Sequence, residues 1–188
     1  MSSKKRCEWV ENTFPIYEKY HDEEWGVPVH DDKIHFEFLI LESAQAGLSW
    51  STVLNKREGY RKAFADFEVE KVAQYDENKI AELIQNPEII RNKLKINAAV
   101  NNARLFIEVQ KDFGSFSKYI WSFVNDKVIV GKWKSMSEVP ATSPESDALS
   151  KDLKKRGFKF VGSTIIYAHM QATGLVNDHT TDCFRFEK

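Results

Sequence analysis

His179 and Cys183 stand four residues apart in VNDHTTDCFRFEK, at the very end of a 188-residue chain. Chain ends usually fray. An imidazole and a thiol at i, i+4 face one way on a helical turn, and both are side chains that Zn²⁺ prefers. Two ligands do not fill a tetrahedral site. The matching soft side chains near the opposite terminus are Cys7 and His21. A set of Cys7, His21, His179 and Cys183 would force the two ends of the chain to meet, a demand few folds satisfy. The pairing rests on economy, because Cys7-x13-His21 is not a compact finger knuckle. Two alternatives stand beside it. One is a Cys7–Cys183 disulfide, which a reducing compartment disfavours. The other is a pair of unrelated free thiols.

Four protein ligands leave no open coordination position, so such a site would be structural. A catalytic metal fits poorly. HDE at 21–23 matches the H-x-E half of the zinc deaminase pattern, but the P-C-x-x-C half is absent, as is H-E-x-x-H. His30 and His35 at the start of a helix are weaker ligand candidates. So is His169, which reads as a core histidine with satisfied nitrogens inside an apolar helix.

The periodicity is mostly helical. DDKIHFEFLILESAQAG opens on aspartates suited to an N-cap and closes at Gly47. Ser49 can cap a helix over 50–64. FEVEKVAQY and DENKIAELIQ read as short helices, and NKLKINAAVNNARLFIEVQKDFG as a long amphipathic one. SFSKYIWSFV is another helix. TSPESDALSKDLKKRGF has Ser143 at N-cap, Pro144 at N1 and Gly157 after the last turn. GSTIIYAHMQATG is an apolar helix closed by Gly174, and 127–130 is the single strand expected. The fold class is all-α. We expect one compact domain over 1–188, with two lobes conceivable: 31–135, and 1–30 together with 136–188.

A net charge of −1 excludes a uniformly basic nucleic-acid coat but not one basic face. No apolar run approaches the roughly 20 residues of a membrane span, and MSSKKRCEWV lacks a secretory signal core. A cytoplasmic protein is therefore expected. Among five Trp, three fall in the first fifty residues beside Tyr17 and Tyr20. Aromatics fill cores, but Trp and Tyr among polar neighbours also line pockets for flat ligands.

Glu42 is the most informative acid. It follows Phe36–Leu41, a run with five hydrophobic residues in six positions. A carboxylate there is costly unless something binds it. It can reach solvent at the helix end, or form the floor of a pocket with raised proton affinity. Gln45, Ser49 and Trp50 are near it in sequence, and Tyr17, Tyr20 and Trp25 are candidates to join them. An acid beside electron-rich rings suits a planar cation.

RCEWV, YHDEEWGVP, LESAQAGLSWSTVLNKREGYRKAF, IIRNKLKI, WSFV and SDALSKDLKKRGFKFVGSTIIYAHMQATGLVNDHTTDC together resemble the bacterial 3-methyladenine DNA glycosylase I family, from about Cys7 to Cys183. The resemblance implies a helix-hairpin-helix DNA glycosylase fold whose termini are joined by one structural zinc per chain, with Cys7, His21, His179 and Cys183 as ligands. It implies hydrolytic removal of 3-methyladenine from double-stranded alkylated DNA. Free base and an abasic site would be the products, without a lyase step. Glu42 takes the base-contacting catalytic position. Tyr20 and Trp50 take the pocket-wall positions, with Trp9, Tyr17 and Trp25 nearby. LIQNPEIIRNKLKINAAV would be the DNA-binding hairpin, with Arg91, Lys93 and Lys95 supplying charge. Lys151, Lys154, Lys155, Arg156 and Lys159 form a second candidate phosphate contact or a solvated helix face. The family often has glycine near Glu88 and Leu94, and this chain has neither. Ser43 and Ala44 stand beside Glu42 where bulkier residues also occur. A monomer is expected. A binding module that recognises but does not cleave, and a hydrolase of free nucleosides, are the competing functions.

Overall fold

The computed structural model describes residues 4–11 and 13–186. Among them are ten α-helices and one two-stranded ladder. Helix α1 spans Pro15–Glu23, α2 Asp32–Gln45, α3 Trp50–Leu54, α4 Arg57–Ala63, α5 Val69–Ala73 and α6 Glu77–Gln85. Then follow α7 Lys93–Phe113, α8 Phe116–Trp121, α9 Pro144–Arg156 and α10 Ser163–Ala172. Strands β1 (Ile129–Val130) and β2 (Val176–Asn177) pair in parallel, Ile129 against Val176. The mainly helical expectation holds. Two elements escaped the sequence: α1, whose apolar side is aromatic rather than aliphatic, and β2, too short for any periodicity.

Helix α2 is the centre of the molecule. Asp31 caps it, accepting from the N–H of Lys33 at 2.8 Å and of Ile34 at 3.1 Å. Every residue from His35 to Ala44 is buried. A helix buried all round must have other elements on every side. Asp32 also works at the start of another helix. Its carboxylate accepts from the N–H of Phe116 at 2.9 Å and of Ser117 at 2.8 Å, which ties the first turn of α8 to the first turn of α2.

The larger core gathers around α7. Ile96, Ala99, Ala103 and Phe106 recur at helical spacing and are all buried. Phe106 stacks on Phe116 at a centroid distance of 4.0 Å and meets Phe36 edge-on at 5.2 Å. A second, smaller cluster joins Cys7, Tyr20, Trp25, Phe38, Leu54, Ala172 and Cys183, so residues of both chain ends share one core.

The single helix expected over 50–64 is two, broken at Asn55–Lys56. The break re-aims α4. Arg57 turns inward, donating to Glu37 at 2.7 Å and to both oxygens of Glu24 at 2.8 Å, and so joins α4 to α1 and α2. Gly59 then packs against the backbone of Glu88 so closely that a Cβ would overlap it. The chain lacks the glycines that the family often has near Glu88 and Leu94, and Gly59, on the helix facing this turn, is what lets the two backbones approach.

His169 departs from expectation. It is buried, but neither ring nitrogen has a partner among the described residues. It lies beside His35, with centroids 5.7 Å apart, and His35 uses Nε2 on the Val29 carbonyl and leaves Nδ1 unpaired. Burial lowers His35 to about 4, and burial followed by the neighbouring His35 lowers His169 well below 6.5. Both folded values lie below the unfolded one. The stability that these neutral rings contribute is therefore complete above about 6.5 and lost as pH falls toward 4. We expect His169→Leu to be neutral at pH 8 and stabilising at pH 5 by at least about 1 kcal/mol. Chemical denaturation at the two pH values checks this, and an equal effect at both would contradict it.

Candidate functional site

The N-terminal strip and the C-terminal turn meet. Cys7, His21, His179 and Cys183 are all buried, and their donor atoms lie within 4.8 Å of one another. Cys7 Sγ is 3.6 Å from His179 Nδ1, and Cys183 Sγ is 3.5 Å from both His179 Nδ1 and His21 Nε2. Bond lengths of about 2.3 Å to sulfur and 2.0 Å to nitrogen place tetrahedral donors roughly 3.5 Å apart. Three of the donor separations match that value, so the four side chains are grouped as a metal ion with an all-protein shell would need, within a small closing movement. No disulfide joins the two cysteines.

The outer partners support that use. His21 Nδ1 lies 2.8 Å from Asp22 Oδ1, and Asp22 is held by Arg6 through two bonds of 2.9 Å. His179 Nε2 lies 3.0 Å from the Trp25 carbonyl. Each ring thus has its outer nitrogen fixed while the inner one faces the cluster. The two thiols share one proton: the hydrogen bond with Cys7 holds Cys183 far below its usual range, and the same bond together with burial pushes Cys7 up.

The cluster also sets the walls of a cavity. Trp25 meets His179 edge-on at 4.6 Å, and Trp9 meets His21 at 5.3 Å and Trp25 at 5.1 Å. Trp9 and Tyr17 form a T-shaped pair at 5.1 Å. On the other side Tyr20 lies 5.3 Å from Trp50. These five rings, with Glu42, Gln45, Met136, Ala168 and Gln171, enclose a cavity of about 230 Å³. A space of that size, walled by flat rings, has room for one fused-ring group.

Glu42 comes from α2, in the one long helix with no solvated face. It is buried, and no hydrogen bond reaches its carboxyl group among the described residues. Burial raises it to about 8. Burial and then the Glu42 charge raise Tyr17 and Tyr20, which places both phenols in its field. Glu37, buried on the same helix, differs because Arg57 and Arg61 neutralise it. Of the two buried carboxyls on α2, only Glu42 lacks a partner, and it is the one that lines the cavity.

The structure brings together Trp9, Tyr17, Tyr20, Trp25, Glu42 and Trp50 in one cavity, and all four soft ligands in one cluster. Ser49 is elsewhere, exposed and capping α3 through the Thr52 N–H. Arg91 and Lys93 are exposed at the turn between α6 and α7. Lys95 has another task. Its ammonium donates to the carbonyls of Ala44 at 2.8 Å and Ala46 at 2.6 Å, at the end of α2. Of the 151–159 run, Arg156 is occupied by Asp152 and Asp112, while Lys151, Lys154, Lys155 and Lys159 are exposed. Sequence reasoning missed Met136, Ala168 and Gln171. The available signal was a glutamine in an otherwise apolar α10.

The model of the methyladenine glycosylase family matches residues 9–186. The chain is 50% identical over 179 residues to DNA-3-methyladenine glycosylase 1 of Escherichia coli (strain K12), covering 95% of each. It is 48% identical over 178 residues to the DNA-3-methyladenine glycosylase of Haemophilus influenzae, covering 95% of this chain and 96% of that one. A crystal structure of 3-methyladenine DNA glycosylase I superposes with a TM-score of 0.93 at 49% identity, over 96% of this chain and 99% of that chain. The Staphylococcus aureus structure that describes 3-methyladenine recognition superposes with a TM-score of 0.93 at 40% identity, over 97% of each.

Glu42 gives the site a testable signature without any ligand. Its folded value of about 8 lies above the 4.5 of an ordinary glutamate, so the folded state holds a proton that the unfolded chain releases. The associated stability is complete below about 4.5 and lost as pH rises through about 8. Urea denaturation from pH 5 to 9 should show a decline that Glu42→Gln reduces by a few kcal/mol. Identical slopes for the two proteins would mean that Glu42 is not desolvated.

Proposed function

The chain belongs to the methyladenine glycosylase family, an enzyme family, and from that premise we propose that it hydrolyses the N-glycosidic bond of 3-methyladenine in alkylated double-stranded DNA. The products are the free base and an abasic site, and no lyase step follows. A buried, unpartnered carboxyl group in a ring-walled cavity carries this reading. The relatives' names and the 3-methyladenine recognition described for the S. aureus protein support it.

The chemistry follows from the leaving group. Methylation at N3 makes the adenine cationic and weakens its bond to the sugar. When that bond breaks, its electrons neutralise the ring, so a strong general acid is not needed. Water adds to the sugar carbon and releases its proton to solvent. The protein must extrude the nucleotide, at a cost of a few kcal/mol. Glu42 then binds the cation as a carboxylate and accepts hydrogen bonds from the adenine edge. Tyr20 and Trp50 stack on it, with Trp9, Tyr17 and Trp25 completing the wall. Neutral adenine gains less from the same charge, which gives selectivity.

The turn between α6 and α7 serves as the DNA-binding hairpin of a helix-hairpin-helix fold. Arg91 and Lys93 supply charge there, and an anion at the start of α7 is favoured by the helix dipole. We read the chain as one domain and a monomer, acting in the cytoplasm. The Cys₂His₂ cluster holds one structural zinc, the ion that best matches two thiolates and two imidazoles in a closed tetrahedron. Zinc would supply cohesion of the chain ends and no step of the reaction. Cys7, His21, His179 and Cys183 hold the ends, and through Trp9 and Trp25 they hold the cavity wall.

Two outcomes test this. Timed chromatography of bases released from methylated DNA should show 3-methyladenine from the wild type. Glu42→Ala should lose at least about a hundredfold in rate while remaining folded. Excision by Glu42→Ala at the wild-type rate would remove Glu42 from the site. Elemental analysis should find about one zinc per chain, and joint Cys7→Ser and Cys183→Ser substitution should lower the melting temperature by several degrees or abolish folding. A metal-free protein of full stability would eliminate the zinc.

A further inference from the structure

The charge on Glu42 separates methylated purines from ordinary ones, but 3-methyladenine and 3-methylguanine are both cations in DNA. Something else must tell them apart, and they differ at position 6, where adenine carries an amine and guanine an oxygen. We propose that Gln171, oriented by Asp178, presents a fixed carbonyl oxygen to the extruded base and so selects 6-amino over 6-oxo purines. This rests on the glycosylase reading and adds a specificity-determining residue to it.

Gln171 lies in the last turn of α10 and lines the cavity with Glu42. Its backbone is pinned by the Gly26 N–H, which donates to its carbonyl at 2.8 Å. Its side-chain Nε2 donates to Asp178 Oδ2 at 2.8 Å. Asp178 is 1% exposed, so its carboxylate depends on donors from the protein. It has three: Gln171, Tyr167 O–H to Oδ2 at 2.6 Å, and Trp133 Nε1 to Oδ1 at 2.7 Å. Tyr167 O–H and Gln171 Nε2 both meet Oδ2, and Trp133 Nε1, which can only donate, meets Oδ1, so this carboxyl group accepts on both oxygens and fixes which end of the Gln171 amide faces it. With Nε2 engaged on Asp178, which does not line this cavity, Oε1 is the end of the amide that we assign to the cavity. No hydrogen bond reaches that oxygen among the described residues, and it is not a buried orphan.

The cavity therefore presents oxygen acceptors from two helices, Glu42 of α2 and Gln171 of α10. An exocyclic amine has two hydrogens to donate. A 6-oxo group would set an oxygen against them and leave acceptors facing acceptors, the arrangement that a polar site rejects most strongly. Asp178 touches no base and acts as a positioning residue. The substitution Asp178→Asn has a defined consequence. The oxygen of the new side-chain amide would still accept from Trp133, while its NH₂, standing where Oδ2 now is, would donate one hydrogen to Gln171 and the other to the Tyr167 hydroxyl, which would turn from donor to acceptor. The Gln171 amide would then rotate and offer its N–H to the cavity.

The test is the ratio of 3-methyladenine to 3-methylguanine released from the same methylated DNA, from initial rates. Gln171→Met should lower the ratio about tenfold. Asp178→Asn should lower it further by raising 3-methylguanine release in absolute terms, which a merely weakened structure would not do. In a Gln171→Met background, Asp178→Asn should leave the ratio unchanged. Melting temperature and metal content identify any variant that has lost its structure. Because Gln171 is only half-buried, Gln171→Met decides the matter alone if Asp178→Asn does not fold. A wild-type ratio in Gln171→Met overturns the specificity assignment and leaves the glycosylase reading standing. Release of neither base by the wild type overturns both.

Discussion

The structure depends on one convergence: two thiols and two imidazoles, drawn from opposite ends of the chain, buried with their donor atoms within 4.8 Å of one another. Without an ion, four polar side chains buried together are a liability, because their lone pairs lack protons to share and like groups face each other. With one, Cys7 and His21 would be tied to His179 and Cys183 across the length of the chain. The consequence reaches the cavity through direct contact. Trp25 lies against His179 and Trp9 against His21, so the ligand rings support the walls. Cohesion and recognition are the same piece of packing.

The second organising fact is how two acids on one helix were given opposite environments. Glu37 and Glu42 share α2 and are both buried. Arg57 and Arg61 neutralise the first, and in doing so join α4 to α1 and α2. No side chain neutralises the second, which instead keeps its proton up to about pH 8. The cost of keeping Glu42 uncompensated is borne by a helix surrounded on every side by apolar contacts, and a cationic ligand would relieve it.

Much of this was legible in the chain because the relevant signals are local. Asp31, Ser143 and Gly157 bound their helices as their chemistry dictates, and Glu42 stands out against five apolar neighbours. The His-x3-Cys pair announces itself by spacing. What was hidden is tertiary. The break at Asn55–Lys56 exists to aim Arg57 and to bring Gly59 against Glu88, neither of which propensity encodes. Gln171 looks like a stray polar residue until Asp178, from the following loop, is placed behind it. His169 looked satisfied because buried histidines usually are. Lys95 looked free because lysines at a helix start usually are, and the carbonyls that hold it lie about fifty residues upstream.

That last contact has a mechanical meaning. Lys95 fastens the first turn of α7 to the final carbonyls of α2, two to four residues beyond Glu42. The surface that would grip the phosphodiester strand and the floor that would receive the nucleobase are thus bolted into one frame. Their separation is a constant of the scaffold. A duplex engaging both would meet them at that fixed spacing.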